Sequence, residues 1–384
     1  MSRKRILIIT RNLPPLIGGM ERLNWHIADE LSRKADVHII SPAGSAALAP
    51  ANVSVTEVAL KPLSRFLMSS CLQAMQIASS WKPQFVLAGS GLTAPAALLA
   101  SKFARARACV YLHGLDAAVQ HPVYRAIWHP SIRKMDCVIA NSYPTAKMAS
   151  EIGIKNEEIK IVHPGVTLPT QGQTTDSLTS WRKRHSLGSA RLLISIGRLT
   201  TRKGLQEFVQ KSLPTIVKAC PDVILAVIGD APGDALYAKL QSRRSIQTAA
   251  DAAGVGKNIR FLGVITDPGD LACAYENACL HIFPVRQING DPEGFGMVAV
   301  EAAAHGRPTL AFATGGIIDA VAPGLSGELI TPEDYDAFAQ MAIEIISIGL
   351  NRWEKSSYIF AKKFAWPNFG NQISEALKID NDIF

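Results

Sequence analysis

No stretch of this 384-residue sequence approaches the roughly 18 uninterrupted apolar residues of a membrane-spanning helix, so none is expected within it. The six cysteines (Cys71, Cys109, Cys137, Cys220, Cys273 and Cys279) are scattered, form no C-x-x-C pair, and have no clustered histidines beside them. That excludes a zinc spacing and a disulfide framework, and leaves reduced, buried thiols in a cytoplasmic protein as the expectation. Charged residues make up 19% and hydrophobic residues 48%, which is not the composition of a disordered chain. Basic residues with interleaved aromatics never form a dense run, so nucleic acid is not an expected partner. Low-complexity tracts and short-period repeats are absent. Two nucleotide fingerprints are missing as well. Residues 10–20 carry no G-x-G-x-x-G, and the loop Gly197–Gly204 lacks the G-x-x-x-x-G-K-[ST] order of a P-loop.

The start of the chain, with its basic head and the short apolar run Ile6–Ile9, is expected to be a first β-strand rather than a signal peptide. Charge is unevenly placed. Residues 1–165 hold 19 Lys and Arg against 10 Asp and Glu, whereas residues 166–384 hold 21 against 22. A basic first half suits an anionic membrane surface or an anionic acceptor.

Apolar runs and helical periodicity alternate along the first half. Strands are expected at Ile6–Thr10, Val37–Ser41, Phe85–Ala88, Cys109–Leu112 and Cys137–Ala140, and helices at Glu21–Leu31, around Leu63–Ser80, at Ala94–Phe103 and at Ile127–Lys134. Residues 166–190 are polar and weakly periodic, as an interdomain linker would be. A second alternation follows, with strands at Leu192–Gly197, Val223–Gly229, Ile259–Leu262, Leu280–Phe283 and Thr309–Ala313. Helices are expected between them at Leu205–Ala219, around Ala235–Ala253, at Leu271–Ala278 and at Met297–His305. The reading is α/β: two doubly wound, Rossmann-like parallel-sheet domains, residues 1–165 and 191–365, with 366–384 as a C-terminal segment.

In such sheets ligands sit at the carboxyl ends of strands, near helix N-termini. Three loops of the second half occupy such places. Gly197–Gly204 offers Arg198, a planar fork of donors, and Lys203, a compact charge, to a diphosphate. Asp291-Pro292-Glu293-Gly294-Phe295-Gly296-Met297 leads into a helix carrying Glu301 among Val298, Ala299, Val300 and Ala302, where a carboxylate needs a partner. Thr314-Gly315-Gly316 is a third turn, suited to close backbone approach to phosphate.

With these motifs in order, the chain resembles glycosyltransferase family 4, which has the GT-B fold, along nearly its whole length. The likeness is carried by Gly18-Gly19-Met20-Glu21, His113-Gly114-Leu115-Asp116, Asn141-Ser142 and Pro164-Gly165-Val166. It continues through Gly197-Arg198 with Lys203-Gly204, Gly229-Asp230, Phe261-Leu262-Gly263, Glu293-x7-Glu301 and Thr314-Gly315-Gly316. The segment from Pro284-Val285-Arg286 to Glu293 resembles bacterial mannosyltransferases of that family.

The resemblance implies two domains facing a cleft, the first binding the acceptor and the second a nucleotide-sugar donor, GDP-mannose or a UDP-sugar. It implies transfer to a lipid-linked or polysaccharide acceptor in cell-envelope glycan synthesis (lipopolysaccharide or exopolysaccharide), with retention of configuration. No cofactor and no metal are implied, and no D-x-D lies between the strands. Arg198 and Lys203 would neutralise the leaving diphosphate. Glu293 would hold hydroxyls of the donor sugar beside the amides of Phe295, Gly296 and Met297, and Glu301 would hold the ribose. Gly316 would approach the phosphates, and the backbone near Phe261–Val264 would meet the base. From the first domain, Gly18 and Gly19 would run beneath the phosphates and His113 would stand at the donor sugar. The last segment would return to the first domain.

Other readings stay open at this point. Asp116 is suited to orienting the His113 loop or to capping the next helix. Lys61, Arg65, Lys102, Arg105 and Arg107 fit a contact with the inner face of an anionic membrane, or an ordinary solvated helix face. A nicotinamide-dependent oxidoreductase and a non-catalytic carbohydrate-binding protein are the competing functions.

Overall fold

The computed structural model describes residues 3–231 and 240–379. They divide into two units, one of residues 3–165 with 366–379 and the other of residues 166–365.

The first unit is a seven-stranded parallel sheet. Its strands are β1 (Arg5–Ile9), β2 (Asp36–Pro42), β3 (Val53–Val58), β4 (Phe85–Ala88), β5 (Arg107–Leu112), β6 (Cys137–Ala140) and β7 (Ile159–Ile161), in the order β3-β2-β1-β4-β5-β6-β7. Helices cover both faces, so the inner strands are continuous apolar runs: Ile6, Leu7, Ile8 and Ile9 are fully buried, as are Phe85 to Ala88. The helix Trp366–Leu377 belongs to this unit and packs on the helix Gly19–Ser32. Trp366 stacks on His26 at 3.6 Å between ring centroids, and lies so close to Gly165 that a Cβ there would overlap the indole.

The second unit is a six-stranded parallel sheet of β8 (Arg191–Ile196), β9 (Val223–Ile228), β10 (Ile259–Gly263), β11 (Ala278–Phe283), β12 (Thr309–Phe312) and β13 (Gly327–Ile330), in the order β10-β9-β8-β11-β12-β13. Both sheets therefore start at a central strand and grow outward in two directions. The turning points lie between β1 and β4 and between β8 and β11, where crevices open at the carboxyl ends of the strands.

Residues 166–190, expected as a linker, lie in the second unit. They contain the helix Thr175–Arg184, whose Trp181 is fully buried against Leu187, Leu192 and Tyr275. The long helix expected over Leu205–Ala219 is two, Leu205–Lys211 and Leu213–Ala219. Pro214 cannot donate a backbone hydrogen bond, and Ser212 at the break donates its hydroxyl to Tyr335 O at 2.7 Å. Of the helix expected around Ala235–Ala253, Arg243–Ala252 is helical, and residues 235–239 lie outside the described residues. All six cysteines are free thiols.

Candidate active site

The crevice of the second unit is built from the loops that leave β8 and β11. After β8, Gly197 has φ +146°, and its amide donates to Ile228 O at 2.9 Å, bringing the loop back across the top of β9. A short 3-10 turn, Thr201–Lys203, then aims two adjacent cations at the loop after β11. Gly204, with φ +70°, ends that turn where any Cβ would overlap Pro284 O, so the two loops touch backbone to side chain-free backbone.

Glu293 is the centre of the arrangement. Lys203 Nζ donates to Glu293 Oε2 at 2.8 Å, and Arg202 Nη1 engages the same oxygen. Arg202 Nε also lies 3.2 Å from Asp291 Oδ1. The three main side chains are nearly withdrawn from solvent, with 10% of Arg202, 15% of Lys203 and 13% of Glu293 exposed. Burial pushes the Glu293 carboxyl up, but the charges of Arg202 and Lys203 outweigh it and hold the group down at about 2. For Lys203 the balance runs the other way. Burial lowers its ammonium to about 8, helped by the charges of Arg202 and Arg198 and only partly opposed by Glu293. The ammonium also sits 4.6 Å from the centre of the Phe283 ring.

Arg198 is exposed and forms no ion pair among the described residues, although its charge reaches Lys203. The cation that grips Glu293 beside Lys203 is therefore Arg202, a residue that sequence reasoning passed over. Of two neighbouring cations in a loop, only the local turn decides which points inward. Val264 is 52% exposed on the loop after β10. The Phe295 side chain is 3% exposed in the apolar core, which leaves its backbone as the part that lines the loop.

Gly296, at φ +93°, caps the helix Met297–Ala304, and Glu301 lies on that helix one turn further in. The partner that Glu301 needs is Tyr275, whose hydroxyl donates to Glu301 Oε2 at 3.0 Å. Tyr275 is itself fixed by stacking on His305, 5.2 Å between centroids at 8°, and His305 Nδ1 lies 3.2 Å from Glu276 Oε1. Gly316 packs on the Glu293 loop. Its amide donates to Glu293 O at 2.8 Å, and a Cβ on it would overlap Gly294 O. The close approach that this glycine permits is to the backbone of the Glu293 loop, which it braces through its amide.

In the first unit, Gly18 precedes the helix Gly19–Ser32, and Glu21 folds back so closely that a Cβ at Gly18 would overlap its carboxylate. Asn12 Nδ2 donates to the same carboxylate at 2.6 Å. His113 follows β5 and is 9% exposed. Its Nε2 lies 2.8 Å from Gly89 O, and a carbonyl only accepts, so Nε2 carries a proton and donates it there. Asp116 orients this loop: its Oδ2 accepts from the His113 amide at 3.0 Å, and Gly114 is the residue at the start of the next helix.

Among the described residues no group of three or more His, Cys, Asp or Glu side chains could hold a metal ion, and no helix is long and apolar enough to cross a membrane.

Comparisons with known proteins cover both units. Residues 17–168 match the model of Glycosyltransferase Family 4, and residues 190–347 match that of Glycosyl transferases group 1. The chain is 25% identical over 352 residues to a GDP-mannose-dependent alpha-(1-6)-phosphatidylinositol monomannoside mannosyltransferase of Mycolicibacterium smegmatis, spanning 89% of each chain. It is 29% identical over 224 residues to a D-inositol 3-phosphate glycosyltransferase of Corynebacterium urealyticum, spanning 56% of this chain and 50% of that one. In fold it is similar to Anabaena HepE in complex with UDP and glucose, with a TM-score of 0.79 at 20% identity over 98% of this chain and 99% of that one. A glycosyltransferase from Rickettsia africae gives the same TM-score at 17% identity over 100% of both chains.

Proposed function

This chain belongs to glycosyltransferase family 4, the group 1 glycosyl transferases of GT-B fold, and on that premise we propose a specific reaction for it. It moves a sugar from a nucleotide-diphosphate sugar, GDP-mannose first and a UDP-sugar second, to a lipid-linked or polysaccharide acceptor of the cell envelope. Transfer retains the anomeric configuration and needs no metal. The choice of GDP-mannose is supported by relatives whose names specify that donor and that align over 89% of the chain.

The single observation that carries the reading is the buried Arg202–Glu293–Lys203 arrangement in the crevice between β8 and β11. Catalysis of glycosyl transfer needs charge stabilisation on the leaving diphosphate. Lys203 is held in place by Glu293, and the exposed Arg198 is available beside it to close on an entering diphosphate. Once the diphosphate takes over the charge of Lys203, the Glu293 carboxylate is available to accept hydroxyls of the donor sugar. Glu301, oriented by Tyr275, accepts from the ribose. The bond from the anomeric carbon to the diphosphate oxygen breaks while the acceptor oxygen bonds the same face of that carbon, and the acceptor proton passes to the departing phosphate.

The acceptor's surroundings fit an anionic membrane surface. On the helix Leu63–Trp81, Met68 and Leu72 are 66% and 61% exposed on one face with Arg65, and on the helix Ala94–Ala104 Phe103 is 62% exposed beside Lys102. Exposed apolar side chains beside basic ones suit an interface with anionic lipid.

Release of nucleotide from UDP-, GDP- and ADP-sugars in excess EDTA tests the reaction, with the anomeric configuration of the product read by NMR. Nucleotide release from one donor with retained configuration is expected. No release from any donor, or activity abolished by EDTA and restored by manganese, contradicts the proposal.

A further inference from the structure

Tyr275 is buried on the helix Pro268–Asn277 and meets two residues that lie four apart on, and just beyond, the helix Met297–Ala304. Its hydroxyl donates to Glu301 Oε2 at 3.0 Å, and its ring lies flat on the His305 ring at 8°. Residues at that spacing share a helix face, which is why one tyrosine covers both. The phenol oxygen is fixed rigidly to the ring, so the seat of the ring sets the point at which the Glu301 carboxylate is gripped.

His305 is that seat, and it is pinned in turn. Its Nδ1 lies 3.2 Å from Glu276 Oε1, and a carboxylate only accepts, so Nδ1 carries a proton and donates it there. The two side chains are 13% and 12% exposed, and burial holds the imidazolium form of His305 below its usual range. A hydrogen bond so withdrawn from water meets little competition. The other oxygen of the same carboxylate, Oε2, accepts from the Gln173 amide at 2.7 Å. Gln173 stands just ahead of the helix Thr175–Arg184, in the segment through which the chain enters the second unit. Glu276 therefore ties that entering segment to His305, and His305 seats Tyr275.

We infer that Glu276 and His305 are positioning residues for the donor: together they hold the Tyr275 ring, and the ring holds Glu301 in the orientation that accepts from the ribose hydroxyls. The inference rests on the proposed place of Glu301 at the ribose. Glu276 and His305 act on the nucleotide through Tyr275 and Glu301.

The test titrates the full chain in EDTA with GDP and UDP, and with their 2′,3′-dideoxy forms, which keep the base and diphosphate but lack both ribose hydroxyls. Glu276→Gln leaves one of the two donors, Gln173 N or His305 Nδ1, facing an amide nitrogen. His305→Phe keeps a flat ring under Tyr275 and loses the bond to Glu276, and it carries the test where Glu276→Gln does not fold. Each variant should weaken the ribonucleotide by about three- to tenfold, the loss of one hydrogen bond. The dideoxy form should change by no more than about twofold, and neither substitution should add more than that once Glu301→Gln is present. Donor KM should rise by the same factor with kcat little changed. Equal weakening of the ribonucleotide and its dideoxy form marks a merely structural role and overturns the inference while leaving the donor site in place, as does unchanged affinity for both. Binding of neither ribonucleotide by the parent overturns the donor reading and this inference with it.

Discussion

Lys203 Nζ and Glu293 Oε2 lie 2.8 Å apart in a place where both side chains are almost closed off from water, and Arg202 takes the same carboxylate oxygen. One carboxylate therefore serves two buried cations, with Asp291 3.2 Å from Arg202 as a second acid. Glu293→Gln leaves both without it, and breaking a buried pair from one side costs about 3–5 kcal/mol. Calorimetric unfolding of the ligand-free variant should show that loss, and UDP or GDP, whose diphosphate supplies the missing charge, should restore most of it. Turnover at saturating donor should fall roughly 10- to 1,000-fold, as for loss of a strong charged hydrogen bond worth about 1.5–4 kcal/mol. A variant as stable as the parent, with full turnover, contradicts this role.

The same pair sets the response to pH. Glu293 is held at about 2 in the folded protein, below its ordinary value of 4.5, so its contribution to stability is complete above pH 4.5 and is lost as pH falls toward 2. Lys203 is lowered to about 8 from 10.5, so the unfolded chain binds the extra proton between those values and stability contributed by this group rises with pH across that window. Diphosphate binding goes the other way. It needs the ammonium, so affinity for UDP or GDP should fall as pH rises through about 8, approaching tenfold per pH unit above it. Lys203→Arg, which stays charged, should flatten the profile; an unchanged slope in that variant would rule out Lys203 as its source.

In the proposed donor site Tyr275 acts through Glu301, to which its hydroxyl donates at 3.0 Å. Tyr275→Phe removes that hydrogen bond, and should raise KM for the donor by roughly three- to tenfold, equivalent to about 0.5–1.5 kcal/mol, with kcat nearly unchanged. Glu301→Gln should move the same parameter further. A fall in kcat at constant KM would place Glu301 at the reacting sugar instead of the ribose.

Gly316 is predicted to matter through packing. A Cβ there would overlap Gly294 O, and the turn already holds Glu293 O through its amide. Gly316→Ala should destabilise the second unit by about 1–3 kcal/mol and depress turnover by shifting the Glu293 loop. Gly324→Ala, at φ +73° with nothing within 4 Å of its Cβ, should cost only the backbone strain and leave turnover alone. Equal effects of the two on turnover would contradict the bracing role.

The buried centre of each sheet was legible because strands covered on both faces are uninterrupted apolar runs, as in Ile6–Ile9 and Phe85–Ala88. The strands that escaped were β3, β7 and β13, all at sheet edges, where half-exposed sequences such as Val53-Ser54-Val55-Thr56-Glu57-Val58 carry too little apolar signal. Polarity also misled at residues 166–190, where one buried tryptophan, Trp181, anchors a helix whose other positions are largely polar. At the site, the loops and the Glu293-x7-Glu301 spacing were readable, and the need of Glu301 for a partner followed from its apolar helix. The identity of that partner did not, because Tyr275 comes from another element. Nor did the inward turn of Arg202, or the brace made by Gly316, since both depend on loops that meet only in the folded unit.

The central claim is that the crevice between β8 and β11 binds the diphosphate of a nucleotide sugar through Lys203. Isothermal titration of the full chain with GDP and with UDP in EDTA tests it most directly, comparing the parent with Lys203→Met. The account predicts one nucleotide per chain for the parent and a loss of affinity of roughly 10- to 100-fold in the variant, as expected when one charge-assisted contact of about 1.5–3 kcal/mol is removed. Binding of neither nucleotide, or equal affinity in parent and variant, would contradict it.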